Sequence, residues 1–200
     1  AYYMNYGVNE ISTVSISTNL GSLMSSSDSK SRLASVNIRV GDYTKDNTHE
    51  VKGKGPGNFA ASTTPIALDN SKESIQKALW QITHGAYISS SKQYKKVQNM
   101  EESDNKSKVS DFSKEVAVRS VEPPLSIENL LDQEAWEQRL KGLSSLFITD
   151  EDIVSGNVDL SYTVERKYLT SSEGSYIAQN MTYAHMHVNA RVRCEDGDVV

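Results

Sequence analysis

The chain has 200 residues, 37% of them apolar and 24% charged, a composition that suits one fairly large globular domain or a domain with an appendage. Its net charge of -5, with both signs spread along the sequence, argues against the footprint of a nucleic-acid binder, and no apolar run approaches the roughly 18 residues of a membrane-spanning helix. A single cysteine, Cys194, excludes an internal disulfide and a cysteine-based structural zinc site.

In chain order, Tyr2 to Thr18 is rich in Tyr, Val, Ile and Thr and predicts a strand, with Tyr6, Val8, Val14 and Ile16 on one face and Ile11 breaking the alternation. Leu20 to Met24 predicts a turn into a second strand, and the Ser/Asp/Lys stretch Ser25 to Ser31 a connection. Ala34, Val36, Ile38 and Val40 then alternate with polar residues, the period of a half-buried strand ending at Gly41-Asp42. Asp46 to Thr64, polar and Gly-rich, predicts a long loop.

Two helices follow. The first starts near Asn70, which with Glu73 approximates a capping box, and carries Ile75, Leu79, Ile82, Ala86, Tyr94 and Val97 at helical spacing. Residues 99–117 hold few large apolar side chains among Glu, Asp, Ser, Lys and Asn, so a mobile polar loop is expected. Pro123-Pro124 stops any regular element; Asp132 then caps a second helix with Trp136, Leu140, Leu143 and Phe147 on one face.

Strands return at Val158, Leu160, Tyr162 and Val164, a clean period of two, and Thr170 to Gly174 makes a turn. On the last strand Ala184, Met186, Val188, Ala190 and Val192 face one way, with His185, His187, Asn189, Arg191 and Arg193 on the other. Asp196-Gly197 predicts a tight hairpin turn with both central residues at positive φ and a return strand from Val199. Strands, two helices, strands is the order of an α+β domain: an antiparallel sheet with two main amphipathic helices packed on one face. The first residue is Ala1, and the sequence stops one step into a hairpin, so both ends read as cuts in a longer protein.

No constellation specifies a reaction. His185 and His187 share a strand face at a spacing that would suit one metal ion, but the sequence offers no third ligand, and two polar residues on an outer face is the plainer reading. His49-Glu50 opens like a metallopeptidase helix, yet a Gly-rich stretch follows without a second His. His84 sits at a packing boundary; Gly53-Lys54-Gly55-Pro56-Gly57 precedes no helix and is no phosphate loop; no serine lies in G-x-S-x-G. No catalytic, metal or cofactor residue is assigned.

Several segments in order nevertheless carry a resemblance: Tyr2-Tyr3-Met4-Asn5-Tyr6-Gly7-Val8-Asn9-Glu10, the Gly21 turn, Arg39-Val40-Gly41-Asp42-Tyr43 with Asp46-Asn47-Thr48, the Trp-bearing helix at Ile75 to Tyr87, and Tyr168-Leu169-Thr170-Ser171-Ser172-Glu173-Gly174-Ser175. Together they resemble the N-terminal domain of the TldD/PmbA family, labelled modulators of DNA gyrase and predicted zinc-dependent proteases, in its Bacteroides-type form. The resemblance implies an antiparallel sheet with packed helices ahead of a larger C-terminal domain. It also implies a zinc-binding HExxxH helix beyond residue 200, so zinc is expected outside this chain and no metal ligand within it. The implied partner is another TldD/PmbA-like chain, in a homo- or heterodimer that encloses extended peptide; the alternative is a metal-free paralogue acting as a binding subunit without peptidase activity. His187, Arg191 and Arg193 are the residues expected to face that chamber or partner. By family the compartment is the bacterial cytoplasm, with export the alternative for Bacteroides-type relatives.

Overall fold

The computed structural model describes residues 1–50, 62–99 and 109–200. Six strands form one sheet in the order β3-β2-β1-β5-β6-β4, with β1 Tyr3–Asn19, β2 Ser22–Arg39, β3 Ser62–Pro65, β4 Arg119–Val121, β5 Ile153–Ser171 and β6 Tyr176–Val192. The helices are α1 Lys72–Asn99, the one-turn α2 Ile127–Leu130 and α3 Gln133–Ser145, followed by a 3₁₀ turn at Leu146–Thr149. The α+β class and the predominantly antiparallel pairing are as the alternation implied. β4 is the exception: it runs parallel to β6, with Arg119 opposite Tyr176 and Val121 opposite Ala178. Of residues 99–117, expected as a mobile polar loop, 100–108 lie outside the described residues.

The four long strands contribute to two compact units. In the first unit (1–9, 32–122 and 167–179), α1 packs on the sheet through Ala86 and Ile82, against Val36, Ile38, Met4, Tyr6 and Val40. The helix starts one residue later than Asn70 suggested. Asn70 sits at φ 57°, and Ser71 becomes the cap, its backbone carbonyl accepting from Ile75 and its hydroxyl from the Ser74 N–H at 3.4 Å. Part of the expected long loop is strand, since Ser62–Pro65 pairs antiparallel with Leu33 to Val36.

In the second unit (10–31, 123–166 and 180–200), Val14 and Ile16 of β1 and Val158, Leu160 and Val164 of β5 form a core with Ile127, Leu131 and Leu140. Asp132 caps α3 as expected, accepting from the Ala135 N–H at 3.0 Å. Leu143, placed by periodicity on the core face, is 43% exposed. The turn at Leu20-Gly21 has both residues at positive φ, 45° and 77°, the geometry whose twist matches a two-residue hairpin. Ser25 to Ser31, expected as a connection, is instead the continuous body of β2: backbone pairing does not require apolar side chains, and those of Ser25 to Ser31 are largely exposed. At the far end Arg193 bridges Val199, but only Gly197 has positive φ, at 90°. The Asp196 side chain takes up the Asp198 N–H at 3.1 Å, which allows a wider turn than the expected one.

Candidate functional site

The backbone of β6 changes environment along its length. At its start the second edge is occupied: the Val118 carbonyl accepts from Tyr176 N–H at 2.8 Å, and Glu122 N–H donates to the Ala178 carbonyl at 2.9 Å. At its end Val192 exchanges two bonds with Val200, at 2.8 and 3.0 Å. Residues 178 and 192 are separated by an even number, so the even positions between them turn their N–H and C=O groups to the same edge. Thr182, Ala184, Met186, Val188 and Ala190 meet no strand there among the described residues.

Both faces of this half-strand are exposed. Asn157 Nδ2 donates to Asn189 Oδ1 at 3.1 Å and Asp159 lies 3.7 Å from His187, which fixes the antiparallel register and puts Val188 opposite Val158 and Met186 opposite Leu160. Val158 and Leu160 are buried under α2 and α3, whereas Val188 is 55% and Met186 44% exposed. The alternation of β6 matches that of β5, but the core of this unit stops one strand short of it.

On the opposite face the register gathers polar groups. Asp159 accepts from the Ser17 hydroxyl at 2.5 Å and faces His187 through its other oxygen. Thr13 and Thr163 bond each other at 3.0 Å. Arg191 and Arg193 are exposed, and the Arg193 N–H is taken by the Asp152 carbonyl at 2.8 Å. Among the described residues no three His, Cys, Asp or Glu side chains converge where one ion could be held, so the pairing of His185 with His187 gains no third ligand. Two imidazoles alone do not make up the ligand set of a zinc ion. No described helix is long and apolar enough to cross a membrane.

A second polar cluster lies in the first unit. Asp46 is fully buried and receives Arg39 Nη1 at 2.5 Å, Tyr2 Oη at 2.8 Å and the Thr48 N–H and hydroxyl, both at 2.7 Å. Burial alone would raise its carboxyl pKa, but the bonds from Thr48, Arg39 and Tyr2 outweigh that and hold it below the ordinary value. Burial, then the bond to Asp46, pushes the Tyr2 phenol far up. Asp111 accepts the Asp46 N–H at 2.8 Å and contacts His49 Nδ1 at 2.8 and 2.9 Å. Phe112 beside it stacks on Tyr43 and lies 4.2 Å from the Arg39 guanidinium. His49, dismissed from sequence as a metal ligand, is thus one member of a structural clasp. Asp111 and Phe112 were missed because nothing in the local pattern of a polar stretch marks them. The cluster is closed on itself: its carboxylates are already committed to bonds within the chain.

The architecture has known counterparts. A protein of Thermotoga maritima named "putative modulator of a DNA gyrase" superposes with TM-score 0.51 at 14% identity, over 96% of this chain and 36% of its own. One of Bacteroides thetaiotaomicron, named "putative modulator of DNA gyrase", gives 0.53 at 13% identity, over 98% of this chain and 38% of its own. TldE from Thermococcus kodakarensis gives 0.47 at 16% identity, over 98% and 37%, below the level that establishes a common fold. This chain therefore spans little more than a third of the length of those proteins. No protein-family model matches the sequence, and no curated protein does. At 13% and 14% identity the two better superpositions establish the fold alone, and it is the fold that the resemblance to the TldD/PmbA family implied.

Proposed function

We propose that this chain is the non-catalytic N-terminal portion of a TldD/PmbA-like protein and that it holds extended peptide along β6. The observation that carries the reading is the open edge from Thr182 to Ala190, bounded by Val121 and Glu122 at one end and Val200 at the other. Five residues of alternating N–H and C=O groups accept a strand without reading its side chains, the mode in which a sheet edge captures peptide of varied sequence. His187, Arg191 and Arg193, on the polar face, stand beside such a strand and provide donors for its acidic groups or for a partner chain.

On this reading the parent reaction is hydrolysis of peptide bonds by zinc-activated water held outside this chain, and this portion contributes pairing with a second TldD/PmbA-like chain and enclosure of the peptide. The share of the neighbouring proteins that it covers, 36% and 38%, supports its being one part of a larger machine.

Proline tests the edge directly. Val188→Pro removes an N–H that faces the open edge, so the fold should persist while binding of an unstructured peptide is lost. His187→Pro removes one that faces β5 and should unfold the strand. Titration of a fluorescent extended peptide, with circular dichroism of both variants, reads the two effects apart. Peptide binding undiminished in a folded Val188→Pro protein would remove β6 as the peptide site.

A further inference from the structure

The outer face of α1 takes no part in holding a peptide along β6. Its inner face is occupied by Ile82, Ala86 and Val97. On the opposite side helical spacing lines up Lys77, Trp80, His84, Tyr87, Ile88 and Lys95, all exposed. Trp80 is 67% exposed, and its indole stacks on the His84 ring at 5.5 Å and 8°. A tryptophan left that open, with Tyr87 and Ile88 beside it, is a patch that a surface helix does not need for folding.

Charge distinguishes what covers it. The chain carries 26 acidic and 21 basic residues, yet α1 holds one acid, Glu73, against five lysines, Lys72, Lys77, Lys92, Lys95 and Lys96. The helix is thus +4 by that count within a chain of -5, so its occupant is anionic. None of Lys77, Lys92 and Lys95 pairs with a carboxylate among the described residues. Protein interfaces are depleted in lysine, whereas helices that lie on bilayers combine lysine with Trp, Tyr and aliphatic side chains. Indole and phenol rings sit at headgroup depth, and lysine stems lie along the apolar boundary with their ammonium groups among the phosphates. We propose that the outer face of α1 docks the protein on an anionic lipid surface, with Trp80 and Ile88 entering the headgroup region and Lys77, Lys92 and Lys95 meeting the phosphates.

The test is co-sedimentation of the protein with vesicles of phosphatidylcholine alone and of phosphatidylcholine mixed with phosphatidylglycerol. Trp80 emission is followed in a Trp136→Phe background whose fold is checked by circular dichroism. Binding to the mixed vesicles, a blue shift of Trp80 and release by added salt are expected. Lys77→Ala with Lys95→Ala should weaken that binding by about 30-fold, at roughly 1 kcal/mol per lysine near an anionic surface. Equal binding to both vesicle types, no binding to either, or an unaffected lysine variant would overturn the proposal. So would inorganic phosphate alone reproducing the blue shift, which would indicate a simple anion site. Self-association abolished by Trp80→Ala, without vesicle binding, would assign the face to a second copy instead.

Discussion

Arg39 donates to Asp46 across 2.5 Å, and the two residues are 8% and 0% exposed. A pair so far from water holds only while both charges and their hydrogen bonds are present, because each partner would otherwise be a buried, uncompensated ion. Asp46→Ala is therefore expected to lower unfolding free energy by about 3–5 kcal/mol, read from urea denaturation, with further loss from the orphaned Tyr2 and Thr48 groups. A change within 1 kcal/mol would mean that water reaches Arg39 on loss of its partner.

The same carboxylate sets an acid limit. Its folded-state pKa lies below the ordinary value of 3.8, so the unfolded chain takes up the proton first. The stabilisation is fully present above 3.8 and is lost as pH falls through the folded value, so the wild type should lose stability on acidification below that point. Asp46→Asn should flatten that slope, which thermal denaturation across an acid pH series would show.

Gly156 of β5 marks a tight approach: a Cβ there would collide with Cγ and Cβ of Phe147. Gly156→Ala should cost roughly 1–3 kcal/mol through overpacking. A Phe147→Leu change made with it should recover part of that loss in chemical denaturation. Additive losses in the double variant would show that the added methyl group does not meet the ring.

At the start of α3, Asp132→Ala removes the acceptor of the Ala135 N–H. The expected cost is about 1 kcal/mol, with Asp132→Ser close to wild type in a melting experiment. Both variants falling equally would show that charge, rather than the cap bond, matters at this helix end.

Arg191→Ala with Arg193→Ala should leave stability within about 0.5 kcal/mol, because both side chains are exposed. In the full-length protein the pair is expected to impair peptide handling or pairing with a partner chain. Wild-type behaviour in both assays would take these arginines out of the functional surface.

What the sequence determined by itself is what neighbouring residues decide among themselves. The alternation of Val158 to Val164, the Asp132 cap and the Gly21 turn are local rules of side-chain direction, hydrogen bonding and backbone sterics, and each appears in the structure where its residues placed it. The tertiary structure decided which of two equal patterns is covered. Val158 and Val188 alternate alike and lie opposite each other, but α2 and α3 reach only the first, so one is core and the other is exposed. It likewise decided that serine-rich Ser25 to Ser31 is strand, since a paired neighbour satisfies its backbone regardless of side chain. The Asp46–Asp111 contact joins residues 65 apart through a backbone N–H and a carboxylate. Periodicity carries no information about such a meeting, because it depends on where two distant segments arrive rather than on what either one is.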